Sequence, residues 1–202
     1  MQGYTMEDFT RQLVEVERNK ADYVVPTTKM EMQEDERLAF GGMRYDLNSW
    51  AHGQLASKLR IPKTYYDRIG EYPGLRTKNV NTLLEREEGK RMVRTVGNTA
   101  RAVVSDRFKP IDNMLVANAF TSALEHSKES GGRNVDIQSG TVTEKRMYLQ
   151  VTFPAMEAPV EVGDIVQYGF TLSNSEVGAG AIDIRHMVWR LKCKNGYVGS
   201  SL

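Results

Sequence analysis

Apolar positions recur at helical spacing near the start of the chain. Met6, Phe9, Leu13 and Val16 predict an amphipathic helix over Thr5 to Arg18, opened by a capping box of Thr5 and Asp8. Asp22 to Leu47 has a shorter period, with strand-like pieces near Val24-Val25 and Met43-Arg44-Tyr45, and Glu31 to Glu36 reads as a solvated acidic loop. Asn48 caps a second predicted helix with Ala51, Leu55 and Leu59 on one stripe. Pro62 suits the first turn of a third, which carries Tyr65, Tyr66 and Ile69. Tyr72-Pro73-Gly74 breaks the chain, and Leu75 to Glu88 is again helical, with Val80, Leu83 and Leu84 inward and Gly89 as the stop.

At Lys90 the period drops to two. Arg91 to Val96 and Ala100 to Ser105 read as strands around a Gly97-Asn98-Thr99 turn. Pro110 to Asn113 opens a helix whose expected buried face is Val116, Ala119, Phe120 and Ala123. After a Gly- and Ser-rich loop at Ser127 to Arg133 come four strands: Val135–Thr141, Met147–Phe153, Ile165–Leu172 and Ala181–Lys192, then an Asn195-Gly196 turn. The expected class is α+β. A mainly helical region at 1–89 precedes an antiparallel sheet core at 90–202 with one inserted helix, the whole forming a single folded domain.

Composition changes this picture little. Of 202 residues, 40% are apolar and 26% charged, within the ordinary globular range. No apolar run approaches the roughly 18 residues of a spanning helix. The first residues lack the basic and apolar regions of a signal peptide. A single cysteine, Cys193, excludes an internal disulfide and a Cys-rich zinc cluster. A soluble, cytoplasmic protein without a membrane partner is expected.

Charge changes it more. The net charge is +1, but residues 1–56 carry −4, residues 57–109 carry +7 and residues 110–202 carry −2. A basic middle third has the form of an electrostatic footprint for a polyanion. In the hairpin, a two-residue turn sets Arg94 opposite Arg101, and like charges so placed need neutralisation. A three-residue loop or a bulge would separate them. Two readings stand: a phosphate clamp continued by Arg91, Arg107 and Lys109, or arginines salt-bridged to Asp106 or Glu87. Ser173 to Gly180 joins two strands with small residues through which backbone can approach a ligand, or is an ordinary hairpin loop.

Leu55 to Ile69 has the look of a helix-turn-helix in which Arg60 stands where a turn glycine is usual. Catalytic signals are weak. His52, His126 and His186 have no metal-ligand spacing, and Ser105-Asp106 lacks the glycines of a nucleophile elbow. No catalytic residue, metal or cofactor is assigned. The tyrosines, among them Tyr65, Tyr66, Tyr72, Tyr148 and Tyr168, either stack bases or fill the core.

Three segments carry a resemblance: Arg101 to Asn113; Gly163 to Val166 with Ser173 to Gly178; and Arg190 to Gly196. With the Leu-x-Ile-Pro-x-x-Tyr stretch at Leu59 to Tyr66, they resemble the phage/plasmid-like family known as domain of unknown function 932, over most of residues 50–198 and in the family's order. More loosely, the hairpin, helix and further strands look like the core of phage single-strand annealing proteins of the Redβ/RecT/Erf group. That resemblance implies a homo-oligomer, ring or filament, that binds and anneals single-stranded DNA in a bacterial host cell and acts in recombination. Arg91, Arg94, Arg101, Arg107 and Lys109 would contact phosphates, Lys90 and Lys63 would sit at the rim, and Ser173, Asn174 and Gly178 would let the strand approach. Annealing needs no cofactor, because base pairing supplies the free energy. Five neutralised phosphates imply a slope of log affinity against log salt of about −3.5, and Arg94→Ala with Arg101→Ala is expected to flatten it while sparing the fold. The alternatives are a metal-dependent enzyme acting on nucleotides or nucleic acid through Asp106, Asp112, Asp164 and Glu176, a duplex-DNA-reading regulator using residues 55–69, and a module that binds a host protein.

Overall fold

The structure, a computed structural model, describes residues 5–129, 134–161 and 164–190. Lys192, Cys193 and the Asn195-Gly196 turn lie outside them. The class is α+β, with five α-helices and ten strands among the described residues. Contacts along the chain divide it into two units, residues 16–110 and residues 1–15 with 111–202. The division differs from one at residues 89 and 90, because the mid-chain hairpin belongs to the first unit.

Helix α1 (Met6–Asn19) begins with the anticipated capping box: the Asp8 amide donates to Thr5 Oγ1 at 3.1 Å, and the Thr5 hydroxyl donates back to Asp8 Oδ2 at 2.8 Å. Strand β1 (Lys20–Pro26) follows, then a 3-10 turn at Thr27–Lys29 and three short strands, β2 (Glu31–Met32), β3 (Leu38–Phe40) and β4 (Met43–Leu47). Asn48 caps α2 (Ser49–Lys58) by accepting from the Ala51 amide at 2.8 Å. Then come α3 (Lys63–Ile69), α4 (Leu75–Arg86), β5 (Lys90–Val96) and β6 (Thr99–Ser105).

These strands form one six-stranded sheet in the order β1-β5-β6-β4-β3-β2. Only β4 and β6 run parallel. Val93 and Val103 from the central hairpin meet Leu55 of α2, Tyr66 of α3 and Val80 and Leu84 of α4 in one core with Met32, Leu38 and Phe40. Each such fully buried aliphatic side chain contributes about 1.5–3 kcal/mol. Of the two tyrosines on α3, Tyr66 is buried and Tyr65 exposed.

Helix α2 stops in a Schellman motif. The Ile61 amide donates to Ala56 O at 2.8 Å and the Arg60 amide to Ser57 O at 3.1 Å, with Arg60 left-handed at φ 57°. The free margin of β2 is closed by side chains of α4. Asn81 Nδ2 donates to Met32 O at 2.9 Å and Asn81 Oδ1 accepts from the Met32 amide at 2.7 Å, so one carboxamide stands in for a further strand. Thr77 adds a hydroxyl bond to Gln33 O.

In the second unit, α5 (Asn113–Glu129) and the start of α1 pack on a four-stranded antiparallel sheet ordered β10-β9-β8-β7. Its strands are β7 (Asp136–Val142), β8 (Met147–Glu161), β9 (Asp164–Asn174) and β10 (Asp183–Arg190). Phe9, Leu13, Val116, Ala117, Met147, Leu149 and Leu172 make its core. The buried stripe of α5 is Asn113, Val116 and Ala117 with half-buried Phe120, whereas Ala119 and Ala123 are exposed. The expected Val116 and Phe120 do face the sheet, and Asn113 and Ala117 take the places given to Ala119 and Ala123. Gly140 has a packing reason that sequence does not reveal: a Cβ there would fall 2.5 Å from the Phe9 ring. Helix α5 runs on through Ser127 to Glu129, residues expected to be loop. Among the described residues no helix is long and apolar enough to cross a membrane.

Asn81→Ala strips both backbone groups of Met32 of their partner at a residue with no solvent exposure. A loss of about 1–3 kcal/mol is expected, read from the urea midpoint, together with faster hydrogen exchange at the Met32 amide.

Candidate nucleic-acid interface

The hairpin β5–β6 is built as a two-residue turn followed by a bulge. Val96 pairs with Thr99 and Thr95 with Ala100, but the register then shifts and Arg94 faces Ala102. Arg101 is the extra residue at the bulge, so the two arginines are not opposed. Arg94 faces Asp22 across the other edge of its strand, because β1 pairs with β5 in a register that aligns them. Arg94 Nε donates to Asp22 Oδ1 at 2.7 Å, and the guanidinium is only 1% exposed.

The remaining clamp residues go separate ways. Arg91 is ion-paired with Glu87, the partner proposed in the salt-bridge reading. Arg101 is half-buried, with Nε and Nη2 shielded from solvent. Lys63 pairs with Asp67 one turn along α3. Lys90, Arg107 and Lys109 are exposed at the open end of the hairpin and make no ion pair with a described residue. The expected clamp of five converging cations is therefore not assembled; these three are what the hairpin offers a polyanion.

The Ser173 to Gly180 loop is an internal brace. Asn174 Nδ2 donates to Ile111 O at 2.8 Å and Asn113 Oδ1 at 2.9 Å, while Glu176 Oε2 accepts from the Asn113 amide at 2.9 Å, an anion at the first turn of α5. Ser175 Oγ donates to Lys145 O at 2.7 Å and accepts from the Ala179 amide at 2.8 Å. Ser173 accepts from Arg146, which also donates to Ala181 O at 3.1 Å. Ser173 and Asn174 are buried by these bonds, and Gly178 alone of the three candidates is exposed, at φ 76°. Small residues do let a group come close, but it is the Arg146 guanidinium: a Cβ on Gly180 would lie 2.0 Å from its Nη2.

The helical pair α2–α3 is pinned by a second device. His52 Nδ1 and Tyr66 Oη are 2.7 Å apart, Arg76 lies over the Tyr66 ring at 4.7 Å, and Arg76 Nη1 donates to Glu36 at 2.7 Å. Burial, with the nearby Arg76 and Lys63 charges, pushes His52 down to about 4, and burial raises Tyr66. The exposed side of α3 presents Lys63, already paired, with Thr64 and Arg68. Among the described residues no three His, Cys, Asp or Glu gather where they could hold a metal. Asp106 takes a bond from the Ser105 hydroxyl and Glu176 braces α5; the side chain of Asp164 lies outside the described ones.

One surface that spacing did not single out is a row of rings on the four-stranded sheet. Register places Val151 of β8, Phe170 of β9 and His186 of β10 side by side, with Tyr168 and Val188 in the next row. Phe170 meets Phe120 edge-on at 5.5 Å and Phe153 at 5.8 Å. Phe153 stacks with Tyr168 at 6.4 Å, and Tyr168 Oη bonds His186 Nδ1. Phe153, Tyr168 and Phe170 are half-buried and His186 is exposed, with Ile184 62% and Val188 45% exposed beside them on the outer strand. Tyr168 was visible in the sequence as a stacking candidate, but the row depends on strand register, which sequence does not state.

Two outcomes follow from these contacts. Asp22→Ala removes the carboxylate that Arg94 Nε meets and should cost about 1–3 kcal/mol, read from the urea midpoint. Arg94→Ala with Arg101→Ala thus tests the fold before it tests any ligand. His52 titrates near 6.5 when unfolded and about 4 when folded, so stability should fall as pH drops through that window and level off below it. Thermal midpoints of wild type and His52→Gln between pH 7 and pH 4 check this, and the variant's slope should be shallower.

No protein-family model, curated protein or solved structure matches this chain.

Proposed function

We propose that this chain is a non-catalytic single-stranded nucleic-acid-binding protein whose principal contact is base stacking on the four-stranded sheet. The observation that carries the reading is the half-exposed row Phe153, Tyr168, Phe170 and His186. Every base has a π-face, so a platform of rings accepts single strands with little regard to sequence, while a duplex keeps its faces stacked inside. Lys90, Arg107 and Lys109, which belong to residues 16–110, are exposed cations that can meet phosphate independently of the rings.

The fuller reading is a phage or mobile-element annealing protein acting in recombination, and it rests on the resemblance set out above. Self-association is supported by β10. Among the described residues it is an outer strand, and its apolar residues Ile184 and Val188 are uncovered. No cofactor is needed for such an activity.

Fluorescence anisotropy with a labelled thymidine oligonucleotide and with a duplex of equal length tests the proposal at two salt concentrations. The single strand should bind more tightly. Tyr168→Ala and Phe153→Ala should each weaken it by about 1–3 kcal/mol. Equal affinity for the duplex, or aromatic variants that bind like wild type, would refute the stacking surface.

A further inference from the structure

Arg60 breaks a local rule without an internal reason. The residue after the end of a helix in a Schellman motif is left-handed and is usually glycine, because a Cβ is strained there. Among the described residues, Glu36 and Arg60 are the two non-glycines at positive φ, at 63° and 57°. Glu36 has a local reason to be acidic, since its carboxylate receives Arg76 at 2.7 Å. Arg60 is exposed, and its guanidinium makes no ion pair or hydrogen bond with a described residue. The left-handed strain at Arg60 is thus offset by no ion pair or hydrogen bond of its side chain with a described residue.

A cleft of about 240 Å³ is lined by Lys58, Leu59, Arg60, Leu83, Arg86 and Glu87. Its cations come from two places distant in sequence, the end of α2 with its turn and the last turn of α4. Glu87 is the acidic member, and its carboxylate is held by Arg91. Lys58, Arg60 and Arg86 make no ion pair with a described residue. Two helix C-termini account for some positive charge, since each carries roughly half a negative charge. Three cations exceed that requirement. Leu59 and Leu83 supply an apolar wall that lowers the local dielectric and strengthens the field at the cleft.

We propose that this cleft binds a phosphoryl group, with Arg60 and Arg86 as its guanidinium donors and Lys58 as a third charge. Guanidinium groups match the oxygens of phosphate in paired hydrogen bonds, and a mobile ammonium adds charge without fixed geometry. The volume is several times that of one water molecule's share of the liquid, about 30 Å³, so a phosphate ester enters with its nearest waters. The site lies wholly within residues 16–110 and owes nothing to the aromatic sheet face, so either can fail alone.

The decisive variant is Arg60→Gly, which relieves the left-handed strain as it removes the cation. The full chain is titrated with inorganic phosphate and pyrophosphate at constant ionic strength, with chloride as the control, and followed by thermal shift and by amide chemical shifts of residues 57–61 and 83–87. Wild type should show a saturable stabilisation by phosphate that chloride does not give. Arg60→Gly should raise the thermal midpoint without ligand and lower phosphate affinity at least tenfold, and Arg86→Gln should lower affinity without the gain in midpoint. A phosphate response no larger than that of chloride, or wild-type affinity in both variants, overturns the site. Oligonucleotides with and without a 5′-phosphate then identify the source. Tighter binding of the phosphorylated strand, lost in Arg60→Gly, assigns a polynucleotide end, and equal binding with the inorganic response intact assigns a small phosphate ester.

Discussion

A guanidinium withdrawn from water must meet a carboxylate, and Arg94 meets Asp22. That contact needs the register in which β1 pairs with β5, and β5 is one half of the hairpin that runs through the middle of the six-stranded sheet. The pairing joins residues 72 positions apart, with the sheet's helices and short strands lying between them in the chain. It also accounts for the charge pattern. The acidic first third supplies Asp22 to Arg94 and Glu36 to Arg76, so part of the basic excess at 57–109 is neutralised within the fold. Alternating blocks of charge along a chain can record which segments pack together as readily as they record an external polyanion.

Much of the architecture is legible in the sequence because it is decided locally. Thr5 with Asp8 and Asn48 with Ala51 are caps written within four residues, and Gly97-Asn98 is a turn signal between two-residue periods. The helices over Val80, Leu84, Leu55 and Leu59 follow from their stripes. What escaped depends on partners far away. Strand order, the partner of Arg94 and the bulge at Arg101 are set by pairing that no single window contains. On α5, Asn113 is buried by bonds to Asn174 and Glu176 far along the chain, which the helix's own pattern does not reveal.

The candidate site shows the same division. Residue types suited to phosphate were present in the hairpin, but type is not availability. Arg91 and Arg94 are paired with carboxylates, Ser173 accepts from Arg146, and Asn174 braces α5. The groups that do face outward are ordinary in sequence: Phe153, Tyr168 and His186 are spread over three strands, and Lys58 and Arg86 end two helices. Only Arg60 carried a local sign, a charged side chain where the backbone calls for glycine.

The carboxamide of Asn81 has a bearing on assembly. A sheet margin with open amides and carbonyls is a template on which another molecule's strand can nucleate, and repetition of that step gives fibres. Here both backbone groups of Met32 are already engaged. Strand-on-strand growth of the six-stranded sheet through Met32 is thereby blocked.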